Sequence, residues 1–355
     1  SGYTLNEEQS YCKVGDSNID ATINYNVNTK TLSVSPITTK GTKCYLYFDE
    51  DQTLLKDAIL ANATTQTTRT DFSTTLTDTT TGIIYYADTS KGRTYYFAGN
   101  PTDNWVSFAG FYWRIIRINE DGSIRLIYNG TGTVTTGTNT QIQTSSFNSS
   151  YNNNMYVGYM YQSGQVHGLT SDSTIKGVLD TWYQNNLQSY ASQISTEAGF
   201  CGDRQPSTSS TTSNGSGGTG TTQTYYGAYI RLITNKAPTF ECTNTADLYT
   251  VGSANSGNKV LDYPIGLITA DEVAYAGGVY EQTNNGYYLY TNSAYWTMSP
   301  YSFGGSYASV FRVNSVGNLY IIRVDIAWGV RPVINLAPNV TIKSGNGTST
   351  TPYEI

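Results

Sequence analysis

The feature that most constrains the fold is a pair of long apolar runs separated by a tight-turn signal. The runs are "NWVSFAGFYWRIIRIN" (residues 104–119) and "SIRLIYNG" (residues 123–130), with "EDG" between them. An Asp-Gly turn between two apolar runs is a strong hairpin signal. Two similar runs precede them, "GIIYYADT" (82–89) and "RTYYFAGN" (93–100). We therefore predict a β-sheet that begins near residue 82.

Composition also favours strands over helices. The chain has 355 residues, of which 32 are tyrosine. Tyrosine and the abundant threonine prefer strands, and tyrosine suits half-buried surfaces because its ring is apolar and its tip is polar. The length predicts about two domains. The net charge is −6 and no basic run occurs, which excludes nucleic acid as a partner.

Four cysteines form two well-separated pairs along the chain, Cys12 with Cys44 and Cys201 with Cys242. We predict two disulfides with this pairing, the alternative being free buried thiols. Because CxxC spacing is absent and histidine occurs once, a zinc site has no support. Disulfides imply an oxidising compartment, so we expect an extracellular or cell-surface protein. No membrane-span pattern occurs, and an upstream anchor, a lipid or plain secretion all stay open.

Residues 1–50 are predicted to form a small all-β module. Short alternating runs such as "DATINYNV" and "KTLSVSPI" lie between the first two cysteines. A β unit of this size buries little core, so a disulfide would stabilise it. This pattern indicates a spacer or an immunoglobulin-like module, followed by a larger domain at residues 51–355.

Three segments of the larger domain have helical spacing. Residues 49–63 follow an acidic start that resembles an N-cap, and we expect them to join the two modules. Residues 171–194 carry an apolar stripe behind Asp172 or Ser173 as the cap. A third, shorter helix is predicted after Thr269, within residues 263–277.

Other segments of this domain read as strands or loops. We predict strands at "MYVGYMY" (155–161) and "YYGAYIRLI" (225–233). A Ser/Thr/Gly tract near residues 205–224 is predicted to be a disordered-type insertion, closed by the Cys201–Cys242 bridge. The chain should end its sheet with a hairpin around Ser315–Gly317 and a closing strand "RPVINL".

Catalytic and metal-binding patterns are weak. His167 is the only histidine and has no nucleophile motif near it. Asp271 and Glu272 are the most conspicuous acidic pair, but adjacent helical residues do not face each other, so helix capping explains them better. The loop "NPTDNW" (100–105) lacks an EF-hand pattern. We therefore predict no enzyme activity, no metal and no cofactor.

Aromatic residues concentrate near the C-terminus, in "YWTMSPYSFGGSYASVF" (295–311). Trp296 is predicted to be core, whereas Tyr301, Phe303 and Tyr307 are predicted to be exposed, because Gly304 and Gly305 indicate an open turn. Tyrosine and tryptophan are the residues that dominate binding interfaces.

Four motifs together carry a family resemblance: "NWVSFAGFYWRIIRINEDGSIRLIYNG", "YPIGLITADEVAYAGG", "YWTMSP" and "GVRPVINL". Their succession, over roughly residues 50–340, resembles a bacterial surface-protein domain with the C-type-lectin fold. This domain resembles the variable proteins that are diversified by diversity-generating retroelements. More distantly, it resembles proteins with the formylglycine-generating-enzyme fold. The resemblance implies an α+β, β-rich C-type-lectin-like domain, and "GYTLNEEQSYCKVG" resembles a module found ahead of such domains.

The resemblance also implies where a ligand would bind. In that family the ligand-contacting residues precede the closing "GVRP" segment, which here places them at Tyr301, Phe303, Tyr307, Tyr320, Ile322, Arg323, Asp325, Ile326 and Trp328. The implied scaffold residues are Trp296, Pro300, Gly329, Arg331 and Pro332. Leu319, Val324 and Val330 are predicted to be the buried side, with a change from surface to core at Gly329.

The expected function is thus ligand binding by an adhesin or receptor-type protein, with a protein or glycan ligand on another cell or host. The Glu-Pro-Asn and Trp-Asn-Asp motifs of animal C-type lectins are absent, so calcium-dependent sugar binding is not implied. The C-terminal cysteine pair of the formylglycine-generating enzymes is not matched either. The alternatives are a carbohydrate-active or oxidative enzyme on the same scaffold, and a structural stalk component.

Overall fold

The structure is a computed structural model that describes residues 3–26, 29, 31–50, 52–133, 136–207, 217–252 and 257–355. The chain divides into two compact units, Ser1–Thr53 and Leu54–Ile355. The protein is β-rich, with 33% strand and 16% helix, as the composition predicted. Among the described residues, no helix combines the length and apolar character needed to cross a membrane.

The first unit consists of short strands around a very small core. Its strands are β1 (Tyr3–Leu5), β2 (Tyr11–Val14), β3 (Ser17–Ile19), β4 (Thr22–Asn26), β5 (Thr31–Ser35), β6 (Lys43–Tyr45) and β7 (Phe48–Glu50). They pair as β1–β7, β3–β2–β6 and β4–β5. Leu5, Cys12 and Ile23 are its buried apolar side chains. Cys12 faces Cys44 across β2 and β6 and forms the predicted disulfide with it.

The second unit contains two large sheets and two short strand pairs. Its strands are β8 (Thr65–Thr67), β9 (Ile83–Thr89), β10 (Gly92–Tyr96), β11 (Trp105–Phe108), β12 (Phe111–Ile118), β13 (Ile124–Tyr128), β14 (Gln143–Ser145), β15 (Met160–Tyr161), β16 (Ser171–Asp172), β17 (Phe200–Cys201), β18 (Thr224–Tyr225), β19 (Leu248–Tyr249), β20 (Tyr295–Phe303), β21 (Ala308–Val313), β22 (Leu319–Arg323), β23 (Trp328–Val330), β24 (Val333–Leu336) and β25 (Tyr353–Glu354). The eight-stranded sheet has the order β24-β13-β12-β10-β9-β8, with β11 beside β12 and β25 beside β11. The six-stranded sheet has the order β14-β23-β20-β21-β22, with β18 beside β20.

The helices of this unit are short. They are α1 (Leu55–Asn62), α2 (Thr174–Asn186), α3 (Gly227–Tyr229) and α4 (Ala270–Ala276), with 3-10 turns at Gly137–Thr140, Asn154–Val157, Gln188–Gln193 and Thr245–Asp247 and a π-helix at Ile230–Asn235. Ser173 caps α2 by accepting a hydrogen bond from the Lys176 amide, as predicted. Thr269 caps α4 as predicted, within a reciprocal capping box with Glu272. Leu54 precedes α1 without a side-chain cap, so the predicted acidic cap is wrong.

The predicted hairpin across "EDG" is confirmed as β12 and β13, which pair antiparallel. The long run before it is two strands rather than one. Ala109 and Gly110 both have positive φ, at 54° and 79°, and join β11 to β12 in a two-residue hairpin. The closing strand β24 pairs with β13, so the buried C-terminal run completes this sheet.

Two predicted strands are wrong. Residues 225–233 are mostly helical, with Ala228 and Leu232 buried four residues apart on one face. A short continuous apolar run does not distinguish a strand from a buried helix. Residues 155–161 begin as a 3-10 turn, because the Asn153 side chain accepts a hydrogen bond from the Met155 amide and caps it. Only β15 remains extended there.

The second predicted disulfide is also confirmed, between Cys201 and Cys242. It closes the chain segment that contains the Ser/Thr/Gly tract. The prediction of a disordered-type insertion near residues 205–224 falls largely on residues 208–216, which lie outside the described residues.

Candidate functional site

The C-terminal hairpin presents one face to solvent at the edge of the six-stranded sheet. β21 is buried along its whole length, whereas β22 is half-buried after Leu319. β22 ends the described strand order of this sheet. Cross-strand pairs such as Arg312 with Tyr320 and Val310 with Ile322 fix its register. A rigid, buried strand therefore supports a more exposed one.

Five half-buried tyrosines form a continuous row on this sheet, which we call the tyrosine row: Tyr320, Tyr280, Tyr301, Tyr229 and Tyr225. The Tyr280 ring stacks on Tyr320 at 6.2 Å between centroids and on Tyr301 at 6.4 Å, with interplanar angles of 5° and 7°. Tyr229 lies 5.2 Å from Tyr301 and 4.6 Å from Tyr225. Such rings offer apolar faces together with hydroxyl groups.

The hydroxyls of Tyr301 and Tyr280 remain protonated over the physiological range. Burial, with the neighbouring Tyr229 and Tyr225, raises the pKa of Tyr301 to about 12. Burial also raises the pKa of Tyr280. These groups therefore act as neutral hydrogen-bond donors and acceptors.

An arginine joins the row to Trp328. The Arg312 guanidinium lies 4.0 Å from the Trp328 ring centroid and 5.9 Å from that of Tyr320. Burial lowers the pKa of Arg312, which is the direction expected for a desolvated cation. Trp328 is half-buried, and it pairs through β23 with Ser145 of β14.

A second arginine lies on the other side of the hairpin. Arg323 forms an ion pair with Asp325, with 2.9 Å between Nη2 and Oδ2. Its guanidinium lies 4.5 Å from the Tyr151 ring centroid. Tyr307 is 48% exposed, which makes it the most exposed of the predicted ligand-contacting residues. The hairpin thus mixes aromatic, aliphatic and charged groups.

Most of the predicted site residues are at least partly exposed, although they do not share one face of the hairpin. Tyr301, Tyr320, Ile322, Arg323, Asp325, Ile326 and Trp328 are half-buried and Tyr307 is exposed. Phe303 is fully buried, which corrects its predicted exposure. It lies at the end of β20 between Ala308 of β21 and Thr224 of β18, so its ring belongs to the core.

The buried positions follow the expected pattern. Leu319, Val324 and Val330 are fully buried, and the chain stays buried from Gly329 to Leu336. The five implied scaffold residues, Trp296, Pro300, Gly329, Arg331 and Pro332, are all buried. The change from surface to core at Gly329 is therefore present.

A second candidate site is a deep cleft of about 610 Å³, which we call the charged cleft. Glu272 lies at its wall, with its Oε1 2.6 Å from Arg125 Nε and 3.2 Å from Arg117 Nε. Arg231 lies beside it and binds Asp271 in a bidentate pair, with both N–O distances at 2.8 Å. Asp203 binds the same guanidinium at 2.5 Å.

The acidic pair at the start of α4 thus does more than cap a helix. Glu272 accepts the Thr269 amide, as capping requires, and also neutralises two arginines. Although burial alone would raise the pKa of Glu272, Arg125 and Arg117 hold that pKa below its ordinary value. Burial, with the nearby charge of Asp271, raises the pKa of Asp203. The pKa values of these two carboxylates are therefore shifted in opposite directions.

Other candidate groups are accounted for locally. His167 Nδ1 lies 3.0 Å from Asp247 Oδ2 and its Nε2 lies 3.1 Å from the Asn244 amide, so both ring nitrogens are engaged. In the described part of the chain, no group of three or more His, Cys, Asp and Glu side chains is arranged to hold a metal ion. Asp103 lies in the loop that was considered for calcium, and its Oδ2 accepts a hydrogen bond from the Gly82 amide.

Sequence reasoning missed three members of the tyrosine row. Tyr280 lies in the loop after α4, and Tyr225 and Tyr229 were assigned to a strand that is largely helical. Tyr225 is the last residue of β18 and Tyr229 lies in α3, so no single periodic pattern in the sequence relates the two rings.

Comparison with protein-family models, with curated proteins and with solved structures finds no match to this chain.

Proposed function

We propose that the protein is an extracellular ligand-binding protein of the adhesin or receptor type, and that its ligand contacts the C-terminal hairpin and the tyrosine row. The observation that carries the proposal is the row of stacked, half-buried tyrosine rings that ends at Tyr320, beside Arg312. Aromatic and arginine side chains on a rigid support are the usual energetic anchors of an interface. Two disulfides support an oxidising, extracellular location.

The family resemblance gives this proposal a finer form. In this finer form of the proposal, the second unit is a C-type-lectin-like domain and the first unit is an immunoglobulin-like spacer. The residues of the hairpin are varied by a diversity-generating retroelement. Residues 320–328 are partly exposed apart from the buried Val324, and the buried "GVRPVINL" follows them; this pattern is compatible with a replaceable surface on a fixed scaffold. Changes confined to the hairpin at adenine-derived codons, among the coding sequences of several strains, would support diversification. Evenly spread changes would argue against it.

The ligand-binding proposal is tested with the double variant Tyr320→Ser and Trp328→Ser. Labelled protein is applied to a glycan array and to intact bacterial and host cells, because the ligand is a protein or glycan. We expect binding to weaken by roughly tenfold or more, since two anchors are lost. The melting temperature should change little, because both rings are half-exposed.

Two matched variants make that result interpretable. Tyr190→Ser removes a ring that is 38% exposed and lies outside the hairpin, and it should leave binding unchanged. Phe303→Ser removes a fully buried ring of β20 and should lower the melting temperature strongly. Unchanged binding by the double variant, or a melting loss as large as that of Phe303→Ser, contradicts the proposal.

A second candidate function is catalysis in the charged cleft. Its support is the convergence of Asp203, Asp271 and Glu272 on one cavity, with the pKa of Asp203 raised. Perturbed carboxylates in a cleft are typical of acid–base sites. However, Asp203 and Asp271 both bind Arg231, and Glu272 binds Arg117 and Arg125. Because each of these carboxylates is engaged by an arginine, the ligand-binding proposal has the better support.

A further inference from the structure

A smaller pocket of about 320 Å³ lies among the loops that flank β10 to β13. We call it the arginine pocket, because Arg114 is the only charged residue among the twelve that line it. Nine of the other lining residues carry hydroxyl or amide groups, for example Asn100, Thr102 and Thr291. This volume is at the lower end of the range for small-molecule sites.

Arg114 is buried, at 8% exposure, and has no carboxylate within ion-pair distance among the described residues. Its Nε donates to Asn104 Oδ1 at 2.7 Å and its Nη2 to the Pro101 carbonyl at 2.9 Å. Its guanidinium lies 4.2 Å from the Trp105 ring centroid and 5.3 Å from that of Tyr288. Nε and Nη2 are therefore already engaged in the plane of the guanidinium, and Nη1 is the nitrogen left to donate to a ligand.

A second unpaired cation lies behind the pocket. Arg331 is fully buried and donates from Nη2 to Asn129 Oδ1 at 2.8 Å, and Asn129 lines the pocket. In the described part of the chain it also lacks a carboxylate partner within ion-pair distance. Burial, together with the charge of Arg331, lowers the pKa of Arg114 to about 9. Among the described residues, these two buried cations therefore lack a carboxylate at ion-pair distance, and the buried Asp103 acts on Arg114 from farther away.

The pocket wall also has an unused hydrogen-bonding group. Tyr288 is 4% exposed, lines the pocket, and its buried hydroxyl has no hydrogen-bond partner. This oxygen is closed off from solvent, so a ligand in the pocket would reach it only after a side-chain movement. Asp103 is the nearest acidic residue that acts on Arg114, but it does so only at long range, and its Oδ2 is held by the Gly82 amide.

We propose that the arginine pocket binds an acidic sugar, with the carboxylate of the sugar on Arg114 and its hydroxyl groups on the polar wall. A guanidinium without a carboxylate partner favours an anion, and a carboxylate oxygen would accept a hydrogen bond from the remaining Nη1 of Arg114. The neutral hydroxyl and amide lining matches a polyol, and Trp105 and Tyr288 provide aromatic surface. Neither a basic ligand nor an apolar one fits this combination.

The experiment titrates the full chain calorimetrically with sodium glucuronate, glucose and sodium acetate. Glucuronate should bind, and glucose and acetate should each bind at least roughly tenfold more weakly, because each lacks one half of the recognised chemistry. Methyl glucuronoside separates two sources of the sugar. Binding that survives glycosylation indicates a glycan-borne acidic sugar, and loss of binding indicates a free sugar acid.

Two variants locate the site. Arg114→Met should weaken glucuronate binding at least roughly tenfold. Asn100→Asp places a carboxylate at the exposed end of the pocket, which should abolish binding without disturbing the core. Asn185→Asp makes the same change at an exposed position of α2 and should bind normally. The proposal is overturned if glucuronate fails to bind, if glucose binds equally well, or if Asn100→Asp and Asn185→Asp behave alike.

Discussion

The charged cleft and the arginine pocket both contain buried arginines, but the groups that surround those arginines differ. In the cleft, Glu272 contacts Arg117 and Arg125, and Asp203 and Asp271 share Arg231. In the pocket, Arg114 and Arg331 are hydrogen-bonded to neutral oxygens. A buried guanidinium with carboxylates around it is complete as a structural element.

The same guanidinium without a carboxylate is incomplete, because a buried charge is costly unless it is paired. The larger cavity is therefore not automatically the better candidate for an anionic ligand. Internal charge pairing distinguishes the two regions more clearly than volume does. Variants of the two regions should therefore differ in stability.

The largest effect is expected for Glu272→Gln, which keeps the side-chain shape and removes the charge. It leaves Arg117 and Arg125 without their shared buried counter-charge. Breaking a buried pair in this way costs ~3–5 kcal/mol of unfolding free energy. Urea denaturation at neutral pH measures the loss.

Arg114→Met in the other region provides the contrast for Glu272→Gln. It removes a charge that has no carboxylate partner, so no bare ion is left behind. The hydrogen bonds to Asn104 and Pro101 and the stacking on Trp105 are lost, and the hydrogen bonds cost ~1–3 kcal/mol before the relief of desolvation is counted. Equal losses for the two variants would show that pairing does not distinguish the regions.

Local patterns predicted much of the fold. The "EDG" signal specified the β12–β13 hairpin, and Thr269 with Glu272 three residues later specified the start of α4. Both disulfides followed from the cysteine pairs, because each closes its own compact stretch of chain. Features of this kind depend on neighbouring residues alone, so a single sequence contains them.

Tertiary contacts limited the prediction of the site. Tyr280 stacks between Tyr301 and Tyr320, yet its own segment has no periodic pattern that would place it there. Phe303 precedes two glycines and was therefore expected on an open turn, but strands on both sides enclose it. The environment of such a ring is set by which strands become neighbours.

The charged cleft was missed for the same reason. Helix capping was predicted for this acidic pair, and Glu272 does take part in the capping box. The arginines that bind Asp271 and Glu272 lie on β12, β13 and the π-helix. Nothing in the local sequence around Arg125 or Arg231 identifies a carboxylate partner. Only the packing of α4 against those elements brings opposite charges together in a buried place.

The smallest expected difference between a buried and an exposed ion pair is in how the free energy of unfolding changes at acidic pH. The folded-state pKa of Glu272 is lowered from its ordinary 4.5, so its ionised form stabilises the fold above that value. This contribution is lost as the pH falls through the folded-state pKa. The stability difference between wild type and Glu272→Gln should therefore be largest at neutral pH and narrow in acid.

An exposed pair is the control for that titration. Arg93 holds Asp88 at 2.8 Å and lowers its pKa, but the two side chains are 44% and 67% exposed. Because solvent screens such a pair, Asp88→Asn should leave the urea midpoint and its pH dependence unchanged. If Asp88→Asn alters the acid limb as much as Glu272→Gln does, then burial adds nothing to pairing. In that case, the unpaired state of Arg114 would also lose its significance for ligand binding.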